Sequence, residues 1–205
     1  MREKENFETQ GSGFRLPRWE ELPDIELYMD QVITLMGKYF GGLSSSDEPF
    51  LTSSMINNYV KNEIIPAPVK KKYSRTHLFR LIIICMMKQV LPINDIGMMI
   101  DSLLKTKSEA EVLNLFAQQY ESEYLNTTKM LDENTEKRSA ESEEAALSLS
   151  VMHAAAIAGV SKLYAENALA RLYKLSAPPE KPAEEPKESA KEKKERKKAV
   201  KSSEK

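Results

Sequence analysis

The sequence predicts a mainly α-helical protein with a short β wing near its middle and a C-terminal helical module. Apolar residues recur at helical spacing along most of the chain, from Ile25 to Leu175, which is the main reason for this prediction. Helix caps, prolines and glycines divide the periodic stretches into separate helices. A basic segment, Val69–Tyr73, follows two prolines and has room for one extended wing.

Six helices are expected, over about 25–40, 52–62, 74–90, 92–104, 108–131 and 143–175. The residues that open or cap the first four are Asp24, Thr52 or Ser53, Ser74, and Pro92 or Asn94. The third helix is apolar on nearly every side from Ile82 to Met87, which is typical of a buried helix. Gly41-Gly42 ends the first helix, a loop follows at 44–49, and a polar break covers 132–142.

These elements predict four regions. They are a disordered arm (1–14), a helical domain that contains the basic wing (15–106), a helical module (107–176) and a disordered charged tail (177–205). The last helix is Ala-rich, and its first half is apolar around most of its circumference. Such a helix must be covered, either by the same chain or by a second copy in a homodimer, and the residues leave both arrangements open.

Charge is segregated along a chain whose formal net charge is only -1. Acids dominate from Asp101 to Glu144, whereas the segment from Leu51 to Val90 is strongly positive, which favours an anionic partner for that segment. Cys85 is the only cysteine, so an intrachain disulfide is excluded. The N-terminus has no apolar signal segment, and the Ala145–Ala165 stretch is interrupted by polar residues. We therefore expect a cytoplasmic protein without a membrane span.

No pattern typical of an enzyme is found in the sequence. His77 and His153, the two histidines, lie in different segments, and no cluster has the spacing of metal ligands. The seven glycines form no phosphate-binding loop. We therefore expect no catalytic activity, no metal and no cofactor, and the sequence identifies no small-molecule effector.

The basic segment is the candidate functional site. Asn57 and Asn58 lie on a short capped helix, and asparagine amides can read adenine edges. Lysines at 70–72 would supply sequence-independent attraction to phosphates. Met55, Ile56 and Tyr59 are expected to face inward. On the residues alone, a solvated polar helix and a solvated hairpin explain the same pattern.

The stretch from Thr52 to Ile100 resembles the winged helix-turn-helix of MerR-type transcriptional regulators. Met55–Val60 is similar to their recognition helix, Asn62–Pro66 to the following turn, and Lys71–Arg75 to the basic wing. Asn57 stands where these regulators usually carry arginine. The resemblance implies a MerR-like winged helix-turn-helix fold, double-stranded DNA as partner, and transcriptional regulation.

A second resemblance, to an uncharacterised bacterial family of the Firmicute type, covers more of the chain. It rests on Leu16–Asp24 (LPRWEELPD), which we call the strap, and on Ser54–Lys61 (SMINNYVK) with Lys70–Arg75. The family is a domain of unknown function, so it adds no activity. The alternative to a regulator is a helical protein-interaction adaptor that uses the same scaffold without DNA.

The predicted DNA-binding residues fall into two groups. Those on or beside the second helix, expected at the major groove, are Thr52, Ser53, Ser54, Asn57, Asn58, Tyr59 and Lys61, with packing preferred for Tyr59. Those on or beside the wing, expected at phosphates, are Lys70, Lys71, Lys72, Tyr73 and Arg75.

Overall fold

The structure, a computed structural model, describes residues 14–40, 49–137 and 142–176. It is mainly helical, as predicted. The helices are α1 (Met29–Phe40), α2 (Ser53–Lys61), α3 (Arg75–Met87), α4 (Ile93–Leu104), α5 (Glu109–Lys137) and α6 (Glu143–Ser176), and a single 3-10 turn covers Trp19–Glu21. The strands β1 (Leu27–Tyr28) and β2 (Lys72–Tyr73) form a two-stranded antiparallel sheet.

The predicted arm (1–14), except its last residue, and the predicted tail (177–205) lie outside the described residues, as does most of the loop at 44–49. The chain comprises two compact units, Met1–Arg171 and Leu172–Lys205. Of the second unit, only the last turn of α6 is described. The fold below is that of the first unit.

The centre of the core is α3, as its all-round apolar sequence predicts. All six residues from Leu81 to Met86 are buried, together with Leu78 and Phe79. The helix ends at Met87, before the predicted Val90, because Lys88 caps it and the chain turns toward Pro92. Helices α4 and α5 pack against α3, so three consecutive helices share one core.

The start of the first helix differs from the prediction. Residues 25–28 do not join α1; instead Leu27 and Tyr28 form β1 and pair with Tyr73 and Lys72 of β2. Leu27 and Tyr73 are both buried, so the pairing covers two apolar side chains and satisfies backbone groups that a helix would have satisfied locally. The extended wing segment is present as β2, and its partner strand was missed.

The strap fastens α5 to the rest of the unit. Glu121 accepts a hydrogen bond from the Leu16 backbone (2.8 Å) and forms an ion pair with Arg18 (2.6 Å). The Asn114 side chain accepts from the Trp19 backbone (2.9 Å). Strap residues Leu16 and Leu22 are buried. The strap therefore contributes both apolar burial and charge-assisted hydrogen bonds to the position of α5.

The two long helices are covered unequally. Val112, Leu113 and Ala117 of α5 are buried in the core, whereas α6 contributes only Leu169 among the described buried residues. Ala165 packs beside the same core. The first half of α6 lies outside this core.

Candidate nucleic-acid interface

Helix α2 has one buried and one exposed face. Thr52 caps it, because its side-chain oxygen accepts a hydrogen bond from the Met55 backbone at 3.2 Å. Ile56 and Tyr59 are buried beneath the helix. The exposed side chains are Ser53, Ser54, Asn57, Asn58 and Lys61, which we call the α2 face. The predicted division into inward and outward residues is confirmed for these positions.

A hydrogen bond orients one amide of the α2 face. Asn62 donates from its side-chain nitrogen to the backbone oxygen (2.9 Å) and to Oδ1 (3.0 Å) of Asn58. Because Oδ1 is the acceptor, the Asn58 amide nitrogen is left to donate outward. No side-chain hydrogen bond involves Asn57 in the described part of the chain. Both amides are therefore available to an external partner.

A Schellman motif ends α2 and fixes the exit of the chain. The backbone N–H of Ile64 donates to the Tyr59 oxygen (2.9 Å), and that of Glu63 donates to the Val60 oxygen (3.0 Å). Glu63 has a φ of 58°, a left-handed conformation that favours glycine. Ile64 and Ile65, which follow, are buried. The segment after α2 is therefore fixed by hydrogen bonds and apolar burial.

Arg80 of α3 supports the same segment from behind. Its guanidinium donates to the Ile64 backbone oxygen (3.1 Å) and to Asp101 of α4 (2.6 Å). A cavity of about 350 Å³ lies beside it. The lining residues are Val60, Glu63, Ile65, Pro66, Ala67, Arg80 and Asp101. Two of the charged groups that line the cavity, Arg80 and Asp101, already bond to each other, and Arg80 also bonds to the Ile64 oxygen.

Lys70 and Lys71 form the tip of a tight turn, which we call the basic turn (Val69–Lys72). The Lys72 N–H donates to the Val69 oxygen at 2.9 Å, and the two central residues have φ of 49° and 64°. Positive φ at both centres is the signature of the mirror-image type I′ hairpin turn, in which Asn-Gly is preferred. Both lysines are exposed and have no ion pair among the described residues. Their charges are free for an anion.

Lys72 and Tyr28 lie opposite each other on the outer side of the small sheet. The Lys72 ammonium is 5.7 Å from the centre of the Tyr28 ring and 4.0 Å from a Glu26 carboxylate oxygen. The Tyr28 side chain is 51% exposed, so an aromatic ring stands directly beside the basic turn. Sequence reasoning missed Tyr28 because its spacing fitted the stripe of α1, and only the pairing with β2 reveals its place.

Three predicted contact residues have structural roles instead. Tyr59 and Tyr73 are each 2% exposed, so their rings belong to the core. Burial also raises the pKa of both phenols, so both stay neutral donors. Arg75 donates to the Leu22 oxygen (2.9 Å) and lies over the Trp19 ring (5.4 Å). We remove these three residues from the candidate contacts.

His77 anchors the start of α3 below the sheet. Its Nδ1 accepts a hydrogen bond from the Ser74 backbone at 2.9 Å, and its ring packs edge-on against Tyr73. Burial lowers the His77 pKa, because the charged ring would lose its hydration. A neutral His77 with the proton on Nε2 fits this arrangement. The histidine is therefore part of the frame that carries the basic turn.

Across the residues that the structure describes, no three His, Cys, Asp or Glu side chains are grouped as metal ligands. The fold is a mainly α-helical domain in which a two-stranded sheet and α2 present polar and basic side chains. A family described as a domain of unknown function (DUF1836) matches residues 17–125, and the chain belongs to this family. No curated protein and no solved structure matches the chain.

The match confirms the expectation that the chain belongs to an uncharacterised domain family. It contains the strap from its second residue, α1 to α4 and the first half of α5. All of α6 lies outside it.

Proposed function

We propose that this protein is a DNA-binding transcriptional regulator with a MerR-like winged helix-turn-helix. The α2 face would enter the major groove and the basic turn would contact phosphates. The observation that carries the proposal is that the amides of Asn57 and Asn58 are exposed on α2, close in sequence to two exposed lysines, Lys70 and Lys71, that form no ion pair among the described residues. Helix α1 packs against both α2 and β2, so one buried frame supports both elements.

The α2 face has the chemistry for reading bases. The Asn58 amide nitrogen is directed to donate, and Asn57 keeps both its donor and acceptor. Asparagine donates to purine N7 acceptors and pairs with adenine through two hydrogen bonds. Ser53 and Ser54 lie in the first turn of α2, where backbone N–H groups and hydroxyls suit a phosphate.

The basic turn has the chemistry for binding without sequence preference. Lys70 and Lys71 form no ion pair with any acid in the described part of the chain, whereas Lys72 is shared with Glu26 and Tyr28. Each neutralised phosphate releases counterions, so binding should weaken as salt rises. Tyr28 would lie over the backbone or sugar beside the turn, and we add it to the candidate contacts.

The proposal includes a homodimer formed by the C-terminal helices and a cytoplasmic location, where chromosomal DNA is accessible in a bacterium. Two-fold symmetric proteins of this kind bind two half-sites about one helical turn apart. No small-molecule effector is proposed.

A titration of random genomic duplex, followed by fluorescence anisotropy at two salt concentrations, tests the proposal. The informative variant is Lys70→Asn/Lys71→Gly, which removes both charges while supplying the Asn-Gly pair that the turn prefers. Losing two phosphate contacts should lower the salt slope by ~1.8 and weaken binding on the order of 10- to 100-fold near 0.1 M salt.

The matched control is Lys105→Gln/Lys107→Gln, which removes two exposed lysines just after α4. It should bind like the wild type. Equal losses in both variants would show a response to net charge and refute the proposed contact. Wild-type protein that binds no duplex at low salt would favour the protein-interaction adaptor.

A further inference from the structure

Helix α6 exposes a large apolar surface. Residues 145–161 contain no Asp, Glu, Lys or Arg. The exposed apolar side chains of α6 outside its last turn are Leu147, Leu149, Val151, Met152, Val160, Leu163 and Tyr164. By length and composition α6 could cross a membrane, and the most apolar window is 0% buried. A surface of this kind marks an interaction site.

Part of this surface repeats with the period of a coiled coil. Leu149, Met152, Ala156, Gly159 and Leu163 are spaced alternately by three and four residues, and we call them the α6 seam. All five are exposed, Met152 at 68% and Leu163 at 61%. Half-buried Ser150, His153 and Ile157 lie on a different side of the helix. The residues that the structure describes therefore leave the seam uncovered.

Large residues of the seam meet small residues of a second copy only when the two helices run antiparallel. When two copies run antiparallel with Ala156 near the two-fold axis, Met152 of each lies opposite Gly159 of the other. Leu149 then lies beside the second copy's Leu163. In a parallel pair, Met152 would meet Met152 and Gly159 would meet Gly159, which leaves a void at the glycines.

We propose that the α6 seam binds a second copy of this chain in an antiparallel pair, with each Met152 inserted at the other copy's Gly159. The inference specifies the homodimer included in the proposed function, and it does not depend on DNA binding. It assigns the contact to a helix that lies outside the matched family region.

The charges on α6 favour the same direction. Its first turn carries Glu143 and Glu144, and Arg171 lies near its other end. An antiparallel pair places each acidic start near the partner's Arg171, whereas a parallel pair places the acidic starts side by side. The opposed helix dipoles also favour the antiparallel pair.

A membrane fits the helix less well. The uncharged stretch 145–161 is about 25 Å long at 1.5 Å per residue, shorter than the ~30 Å hydrocarbon core. Ser148, Ser150 and His153 lie within it. A seam with alternating spacing is expected for a helix partner, and lipid tails select no such spacing.

Light scattering of the full chain over a concentration series tests the pairing. We expect twice the 23.3 kDa chain mass for the wild type. Gly159→Leu should weaken the dimer ~100-fold or more, because the leucine fills the space that Met152 needs. The variant should still fold, since a Cβ at 159 meets no atom within 4 Å and leucine favours helix.

Two further variants separate the seam from general effects. Ala158→Leu adds similar bulk to an exposed position away from the seam and should remain dimeric. The double variant Met152→Ala/Gly159→Met exchanges the positions of the large and the small residue. It should therefore form a dimer, whereas Gly159→Leu should not. A wild type that stays monomeric at high concentration, or a dimer that Gly159→Leu leaves unchanged, would overturn the proposal.

Cysteine cross-linking tests the direction. The double variant Leu149→Cys/Leu163→Cys should form disulfides between copies, whereas either single variant should not, because identical positions would lie about 21 Å apart. Cys85 is 1% exposed and burial raises its pKa to about 11, so it should not interfere. Cross-linking by the single variants, or a monomer that floats with liposomes of anionic and neutral phospholipid, would contradict the antiparallel pair.

Discussion

The α2 face and the α6 seam are both exposed helical surfaces, but their chemistry is opposite. The α2 face consists of hydroxyls, amides and a lysine above the buried Ile56 and Tyr59. The α6 seam consists of leucines, a methionine, an alanine and a glycine, and α6 carries no charged side chain from 145 to 161. The first suits a hydrated polyanion and the second suits an apolar partner, so the two proposed contacts rest on separate surfaces.

The two surfaces also differ in how they are held. Helix α2 is capped at its start, closed by a Schellman motif, and followed by a turn that Arg80 holds. Helix α6 reaches the core through Ala165 and Leu169 alone among the described residues. The base contacts proposed for the α2 face would need such a fixed geometry, because base contacts depend on position. The seam can be completed by a partner.

The largest expected effect comes from Tyr73, the buried residue that follows the basic turn. Tyr73→Ala should lower the free energy of unfolding by about 3 kcal/mol or more, because a buried aromatic ring is lost from between β1 and α3. Urea denaturation followed by circular dichroism measures it. Tyr73→Phe keeps the ring and should cost less than ~1.5 kcal/mol. If Tyr73→Ala and Tyr73→Phe lowered the free energy of unfolding equally, the hydroxyl and not the ring would be the group that stabilises this region.

Removing the oriented amide tests the α2 face without changing charge. Asn58→Ala should reduce discrimination between a selected target duplex and random duplex by about 1–3 kcal/mol, while leaving the salt slope unchanged. Binding-site selection followed by anisotropy gives both quantities. Gln119→Ala, an exposed amide on α5, is the control and should change neither. A changed salt slope would place Asn58 at a phosphate.

The left-handed residue after α2 offers a stabilising change. Glu63→Gly should raise the free energy of unfolding by ~1 kcal/mol, since glycine adopts a φ of 58° without the steric cost of a Cβ. Urea denaturation of the variant and of Glu63→Ala measures the effect. The alanine variant keeps the Cβ and should gain little. A destabilised glycine variant would mean that the Schellman motif does not form.

Because His77 is buried, we expect the protein to lose stability gradually in acid. Burial lowers the His77 pKa below its ordinary value, so the unfolded chain binds the proton more readily than the folded chain. The His77 contribution is complete above about pH 6.5 and declines as pH falls below that value. Unfolding measured between pH 7.5 and 5 should show this slope, and His77→Asn should reduce it.

Local features could be predicted from the sequence. The Thr52 cap, the inward Ile56 and Tyr59, and the buried α3 follow from spacing and residue type, and the structure confirms them. Strand β1 could not be predicted, because two residues have no periodicity and the strand exists only through its pairing with β2, far along the chain. Nor does the sequence show that Arg75 is used by the strap.

The different surroundings of the three wing lysines also could not be predicted from the sequence. Three consecutive lysines look equivalent in sequence, yet the turn gives them different surroundings. Lys72 lies in the sheet beside Glu26 and Tyr28, while Lys70 and Lys71 are at the tip. The positive φ at two lysines also has no sequence signal, since the turn lacks asparagine and glycine.

Lysine footprinting tests the central claim, that DNA is bound by the α2 face and the basic turn, most directly. The full chain is acetylated with and without saturating duplex, and each lysine is quantified by mass spectrometry. We expect duplex to protect Lys61, Lys70 and Lys71, and to leave Lys105 and Lys107, which are also exposed, reactive. Protection of Lys105 and Lys107 with no protection at Lys70 and Lys71 would contradict the account.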